Sequence, residues 1–165
     1  MKTNEILTLF DYNYWANRRI LDAAAQVMPE QMVMPTSLSW GTVHGTLVHT
    51  LSAEWIWRVR CQEGVSPSSL LDAAEFSTLD RLRQRWDEEE QAMRSYLGAM
   101  ADEDLAQTID YKNTRGLPHS MVLWSILVHV VNHGTQHRAE VAHFLTDFGQ
   151  SPGDVDFIVY RYEDA

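Results

Sequence analysis

The fold is decided by residues 120–148, which read SMVLWSILVHVVNHGTQHRAEVAHFLTDF. Pro118 precedes this stretch, and Gly149 and Pro152 follow it, as is usual for helix start and stop signals. Within it, apolar and histidine side chains recur at the spacing of one helical face. The members of that stripe are Val122, Ile126, His129, His133, His137, Glu140, Phe144 and Phe148. The pattern predicts one long helix over 120–148 with its inner face apolar but rich in imidazole.

The same period predicts three more helices, over Asn4–Val27, Gly41–Gln62 and Thr78–Met100. Gly64 and Pro67 begin a loop after the second of these, and the chain out to about Phe76 can form a long crossing connection. We therefore expect an all-α fold: a four-helix bundle with a long crossover between helices 2 and 3, folded as one domain over residues 1–165.

Shorter signals complete this expectation. Ser77 is predicted to cap the third helix, with Asp80 three residues later. Residues 88–90, three glutamates, are expected to be solvated surface. The β-branched residues and turn signals of 108–116 predict a small hairpin before helix 4. Residues 154–162 are too apolar to stay free in water, so we expect them to pack on the bundle or on another subunit.

Composition excludes several classes of function. The formal charge is −10, from 23 acidic and 13 basic residues, and only Lys2 and Lys112 are lysines, so a nucleic-acid partner is not expected. A single cysteine, Cys61, cannot form an internal disulfide, and no apolar leader follows Met1, which together predict a cytoplasmic protein. The longest run without charged residues, 116–137, holds four histidines and is predicted to be a buried helix, so no membrane association is expected.

Three histidines form a candidate metal site. His133 and His137 are four residues apart, which puts both on one helical face. His49 lies on the second predicted helix and can supply a third imidazole from a facing element. Three imidazoles on one divalent transition ion would leave a position open for water or substrate. The alternative is that the three rings are ordinary core histidines satisfied by hydrogen bonds.

Other metal architectures fit the sequence less well. A di-iron bundle requires Glu-x-x-His on two helices, and only Glu140 with His143 matches. A structural zinc site favours several cysteines, but Cys61 is the sole one. A zincin would show His-Glu-x-x-His, and here Gly134 stands in the position of the glutamate.

Two further histidines and one glutamate lie near the candidate ligands. His129, one turn before His133, could be a third ligand of that helix, a group that contacts a ligand, or a satisfied core residue; we favour the last two. His44 is five residues before His49 and faces elsewhere. Glu140 could hold the ring of His137 in place, or could simply pair with an arginine.

The inner stripe of the first helix carries two amides, Asn13 and Asn17. They are interpreted as hydrogen-bonded core amides, with a polar pocket bordered by them as the alternative. If a substrate pocket exists, we expect Asn13, Asn17, Trp40 and Trp55 to contribute to it. The sequence identifies no general base, and the catalytic residues stay unassigned.

Several segments, in this order, resemble one known family. They are Tyr12–Asn17 (YNYWAN), Thr42–His49 (TVHGTLVH), Ala53–Trp57 (AEWIW), His129–His133 (HVVNH), Gln136–Arg138 (QHR) and Ser151–Phe157 (SPGDVDF). The chain resembles the DinB/YfiT-like superfamily of four-helix-bundle metal proteins over most of its length. The resemblance implies a metal held by three histidines, with His49 matching the ligand of the second helix and His133 and His137 the pair of the fourth.

The resemblance also implies a range of functions. Members look like homodimers, and characterised relatives include transferases and isomerases that use bacillithiol, mycothiol or glutathione, while many members have no assigned activity. We therefore expect a metal-dependent enzyme acting on a small molecule, a thiol-dependent S-transferase or related hydrolase, with a low-molecular-weight thiol as co-substrate. Zinc or nickel is the expected ion, and iron is the next choice. The alternatives are a non-catalytic metal-binding stress-response protein and a helical interaction module without metal.

Overall fold

The computed structural model describes residues 1–163 and is mostly helical, with 66% of the chain in helices and one two-stranded sheet. The all-α expectation therefore holds in its broad form. The helices are α1 (Thr3–Ala24), α2 (Pro29–Met32), α3 (Val43–Arg58), α4 (Leu79–Gly98), α5 (Leu123–Asp147) and α6 (Phe157–Glu163). A π-helical turn, Val59–Glu63, continues α3, and short 3-10 turns occupy Ala73–Glu75 and Asp102–Ala106. Among residues 1–163, none of the helices has both the length and the hydropathy to cross a membrane.

The four long helices pack side by side, with α1 and α3 each in contact with both α4 and α5. Two apolar clusters form the core. One contains Ile20 and Leu21 of α1 with Val141 and Leu145 of α5, and the other contains the earlier part of both helices. Along each long helix, buried polar residues separate the two clusters. They are Asn13, Asn17, Glu54, Glu89, His137 and Arg138. The fold therefore has a polar layer across its middle, and that layer includes one of the candidate ligands.

The predicted hairpin is present, as antiparallel strands β1 (Thr108–Lys112) and β2 (Pro118–Val122). Because residues 118–122 pair with β1, helix α5 begins at Leu123, not at Ser120 as predicted. The far end of α5 follows the sequence signal closely. Gly149 adopts φ 82°, its N–H donates to the carbonyl of Thr146, and the next N–H donates to Leu145, which is a Schellman motif.

The apolar tail packs on the first helix, in agreement with the first of the two expectations for it. The ring of Phe157 meets Tyr12 edge-on with centroids 5.3 Å apart, and the Tyr12 hydroxyl donates to the carbonyl of Val155. At the end of α6, Glu163 accepts hydrogen bonds from Trp15 and Arg19. Helix α6 thus covers a face of α1 that would otherwise expose aromatic rings.

Three local predictions were wrong. The cap of α4 is Thr78, whose hydroxyl accepts from the amide of Arg81, and not Ser77. Helix α1 ends at Ala24, three residues before the predicted end. The amides of residues 26 and 27 donate to carbonyls three residues back, and not four as in an α-helix. The glutamates of 88–90 are not all solvated, because Glu89 is fully buried and accepts from two arginines, Arg58 and Arg85.

Candidate metal centre

The three predicted histidines meet between α3 and α5. Nε2 of His133 lies 3.1 Å from Nε2 of His49 and 3.1 Å from Nε2 of His137. One ring nitrogen of each residue lies within 4.8 Å of the other two. Nitrogen ligands bound tetrahedrally at 2.0–2.1 Å from one ion lie about 3.3 Å apart. The two distances to His133 are therefore close to those of a ligand set, and the cluster, built from two separate helices, is compatible with metal binding.

The proton count of these nitrogens also fits a cation. Nδ1 of His137 lies 2.7 Å from the carboxylate of Glu140, which can only accept, so Nδ1 carries the proton and Nε2 presents a lone pair. Nε2 of His133 faces two other imidazole nitrogens at once, and a single proton on it can satisfy only one of them. Hydrogen bonds among the three rings therefore cannot satisfy all three nitrogens at once, and this arrangement is compatible with a bound cation. The prediction that Glu140 orients His137 agrees with this contact.

Burial keeps two of the rings neutral. Desolvation, followed by the charges of the neighbouring histidines, lowers the pKa of His49 to about 3. Desolvation and the same kind of repulsion lower the pKa of His133 to about 4. Both rings are therefore neutral at pH 7, which is the form that binds a metal.

A pH dependence of the metal-free protein follows. The unfolded chain takes up a proton on each of these rings near pH 6.5, whereas the folded chain does so only near pH 4 and pH 3. Stability is therefore expected to fall as the pH drops from 6.5 to 4, by about 1.4 kcal/mol per pH unit for each ring. Urea unfolding of chelator-treated protein at several pH values measures this slope. In His133→Ala the slope should be smaller, and an equal slope would contradict the assignment.

A tryptophan and a cleft border the site. The Trp40 ring stacks on His49 with centroids 3.8 Å apart and an interplanar angle of 17°, although Trp40 is 44% exposed. Gly45 permits this approach, because a Cβ there would lie 2.5 Å from the Trp40 carbonyl oxygen. Beside the stack is a cleft of about 220 Å³, lined by His49, Ser52 and residues 70–73 of the crossing segment. His49 therefore lines a surface cleft on this side.

The polar layer fixes the helices that carry the ligands. Asn13 and Asn17 both donate to one oxygen of Glu54, at 3.0 and 2.9 Å, and Trp86 donates to the other at 3.2 Å. The guanidinium of Arg138 donates to the side-chain oxygens of the same two amides, at 2.5 and 2.8 Å. Four helices are tied together directly next to His137. The two amides are thus buried, hydrogen-bonded core residues, as interpreted from the sequence.

A glycine makes room for this layer. A Cβ on Gly134 would lie 2.8 Å from Nη1 of Arg138 and 2.9 Å from the side-chain oxygen of Asn13. Both distances are shorter than real Cβ contacts, so a larger residue at position 134 would displace its neighbours. Packing therefore accounts for the glycine that stands where a zincin motif has glutamate.

The other histidines lie outside the cluster. His129 is exposed, with its ring 5.6 Å from that of His133, and is not part of the ligand set. The His44 ring bonds the carbonyl of Phe76 at 2.7 Å, on a different face of α3. Of the two predicted tryptophans, Trp40 contacts the site, and within residues 1–163 Trp55 makes no ring contact with the three histidines.

The sole cysteine is not a candidate nucleophile. Burial raises the pKa of the Cys61 thiol to about 12, so the thiolate is scarce at neutral pH. A thiol reaction at this protein therefore requires a thiol from outside the chain.

Comparison with known proteins agrees with the resemblance seen in the sequence. The model of the DinB family matches residues 1–164. Protein DinB from Bacillus subtilis (strain 168) is 23% identical over 164 residues, covering 93% of this chain and 92% of that protein. The family match spans nearly the whole chain and includes the three converging histidines. On this ground, the protein belongs to the DinB family.

Proposed function

We propose that the protein is a metal-dependent enzyme in which His49, His133 and His137 hold one divalent transition ion. The observation that carries this proposal is the convergence of three imidazole nitrogens without a fourth partner. Within residues 1–163, no further His, Cys, Asp or Glu joins the cluster. A closed structural site would have four protein ligands, whereas three leave one position for water or substrate.

The side chains around the cluster have separate tasks in this proposal. Glu140 accepts a hydrogen bond from Nδ1 of His137, so that the lone pair of Nε2 faces the ion. Trp40 fixes the plane of His49 by stacking. When bound, the ion supplies Lewis acidity and lowers the pKa of a water or thiol that approaches it. The cleft next to Ser52 admits the small substrate.

The reaction we favour is thiol-dependent S-transfer, or a related hydrolysis, with zinc or nickel as the ion and iron as the next choice. Membership of the DinB family and the lack of a reactive thiol in the chain support an external low-molecular-weight thiol as co-substrate. We further propose a cytoplasmic homodimer, each chain being a single domain over residues 1–165. In each chain the four long helices would form the family's four-helix bundle.

Elemental analysis and turnover of untagged protein test this proposal. We expect about one equivalent of zinc or nickel, and metal-dependent consumption of a small thiol in the presence of an aryl halide. Less than about a tenth of an equivalent of any metal, with none taken up on titration, would exclude the site. The alternative, a non-catalytic metal-binding stress-response protein, would be favoured if anomalous scattering maps showed a fourth protein ligand on the ion and no turnover were detected.

Replacing Glu140 by leucine is expected to weaken metal binding about 10- to 100-fold, because the His137 ring loses the acceptor that sets its tautomer. Competition with a fluorescent chelator measures the change. Glu88→Leu is the matched control, since Glu88 is an exposed glutamate on α4 and its variant should bind as the unaltered protein does. Equal affinity of both variants would show that Glu140 does not support the site.

A further inference from the structure

A row of rings leads away from the metal centre to the hairpin. The His133 ring lies 5.6 Å from His129, and His129 lies 5.6 Å from Trp57. Trp57 in turn meets Tyr111 of β1 at 4.9 Å, and Tyr111 stacks on His119 of β2 at 5.5 Å. The last two rings line a cleft of about 650 Å³, together with Lys112 and Gly64. A second cavity is thus linked to the site by a chain of ring contacts, in which Trp57 meets His129 and Tyr111 edge-on, at 78° and 73°.

Arg60 lies under this row without an acidic partner. It is 5% exposed, and its guanidinium carbon lies 4.7 Å from the Trp57 ring centroid and 5.2 Å from that of Tyr111. Within residues 1–163 it forms no ion pair, and its buried Nε has no hydrogen-bond acceptor. Burial lowers the pKa of Arg60, whereas the hydrogen bonds that Arg58 donates to Glu89 and Glu63 help to raise the pKa of Arg58.

The lack of a partner is not caused by a shortage of acids. The chain has 23 acidic residues, and Arg58, only two positions earlier, pairs with both Glu63 and Glu89. Lys112 and Arg115, both on the hairpin, also make no ion pair in the part of the chain that the structure describes. Three cations at one end of the described chain therefore form no ion pair, although the net charge of the protein is −10. Asp110, which also lines the cleft, accepts a hydrogen bond from the Ser120 hydroxyl and, among the described residues, forms no ion pair with Lys112.

The backbone at Arg60 is also unusual. Residues Val59–Glu63 form a π-helical turn, and Gly64 ends it at φ 65°. Single π turns of this kind occur frequently at functional sites. Here the turn brings Arg60 against the hairpin, while Arg58 on the preceding α-helical turn reaches α4.

We propose that the cleft between this turn and the hairpin binds the carboxylate or phosphate group of a small organic molecule. Lys112 provides the contact charge, Arg60 the second cation behind Tyr111, and the rings of Tyr111 and His119 the flat wall. The rings of Trp57 and His129 then contact the rest of the molecule, which extends toward the three histidines. That the anion belongs to the substrate of the metal centre rests on the proposed function, whereas the anion site itself does not.

Titration of ¹⁵N-labelled protein with phosphate, and separately with glutarate, tests the site. We expect saturable shifts of the Arg60 Nε–H signal and of the hairpin amides with at least one probe, and the probe that saturates identifies the group. Lys112→Met should weaken this binding about tenfold, as expected for the loss of a charge-assisted contact. Arg60→Met should weaken it measurably but by less, because Arg60 acts from behind Tyr111 without touching the anion. Arg81→Met is the matched control, an exposed arginine without an ion pair among residues 1–163, and should bind normally.

Two results would overturn the proposal: no saturation with either probe, or binding that is unchanged in both Arg60→Met and Lys112→Met. Lys112 is an exposed strand residue, so its variant keeps the test informative if Arg60→Met fails to fold. Metal content is measured on the same samples. Protein that binds metal but neither probe contradicts only the anion site, and protein that binds a probe but no metal contradicts only the proposed function.

Discussion

Replacing His133 by alanine is expected to remove most metal binding while leaving a folded helical protein. The Nε2 atom of His133 is the one that lies 3.1 Å from both other ring nitrogens, so its loss leaves two donors that no longer surround a common point. We expect affinity to fall at least about a hundredfold, beyond the 10- to 100-fold cost of losing a supporting contact. Chelator competition measures the affinity, and circular dichroism measures the fold.

His143→Ala is the control for this experiment. His143 lies on the same helix as His133, but its side chain is 73% exposed and pairs weakly with Asp147. Its variant should retain the full metal content. Full metal content in His133→Ala would mean that the three rings do not form the site.

Arg138→Met is expected to cost about 3–5 kcal/mol of unfolding free energy, because it removes the hydrogen bonds of a buried guanidinium and a cation that opposes the burial of Glu54. Glu54 is 1% exposed, and burial raises its pKa even though Asn13, Asn17 and Trp86 donate to it. The charge of Arg138 is the cation that opposes this effect. The variant also leaves two buried amide oxygens without their donor. Urea unfolding at pH 7 measures the loss.

Arg83→Met provides the comparison at the surface. Arg83 pairs with Asp22, whose side chain is 71% exposed, and such pairs contribute less than about 1 kcal/mol. If both arginine variants lost equally little stability, the polar layer would not depend on Arg138.

The elements predicted best from the sequence are those with a strong local signal. Residues 120–148 have a helical period and clear stop signals, and α5 ends as they indicate. The spacing of His133 and His137 fixes a common face, and a facing helix brings His49 to it. The hairpin was also predicted, but its strand takes residues 118–122 from the start of α5, because pairing with β1 competes with the helix for the same backbone.

Features that depend on contacts between distant segments could not be predicted. Glu89 lies in a run of three glutamates, yet two arginines from α3 and α4 permit its burial. Trp40 stacks on His49 through a loop conformation that only a glycine at position 45 allows. Arg60 lies in a π turn, for which the sequence contains no recognisable signal, so its lack of an ion pair within residues 1–163 could not be foreseen. In each case the deciding partner is far away or depends on an irregular backbone.

Gly134 has a consequence for engineering this protein. Exchanging a mid-helix glycine for alanine is a routine way to gain heat tolerance, worth about 1 kcal/mol of helix propensity. At this position the added methyl group would displace the guanidinium and amide that it meets. A thermostabilisation programme would thus trade a small local gain for a disturbed polar layer next to His137, and should direct its glycine substitutions elsewhere.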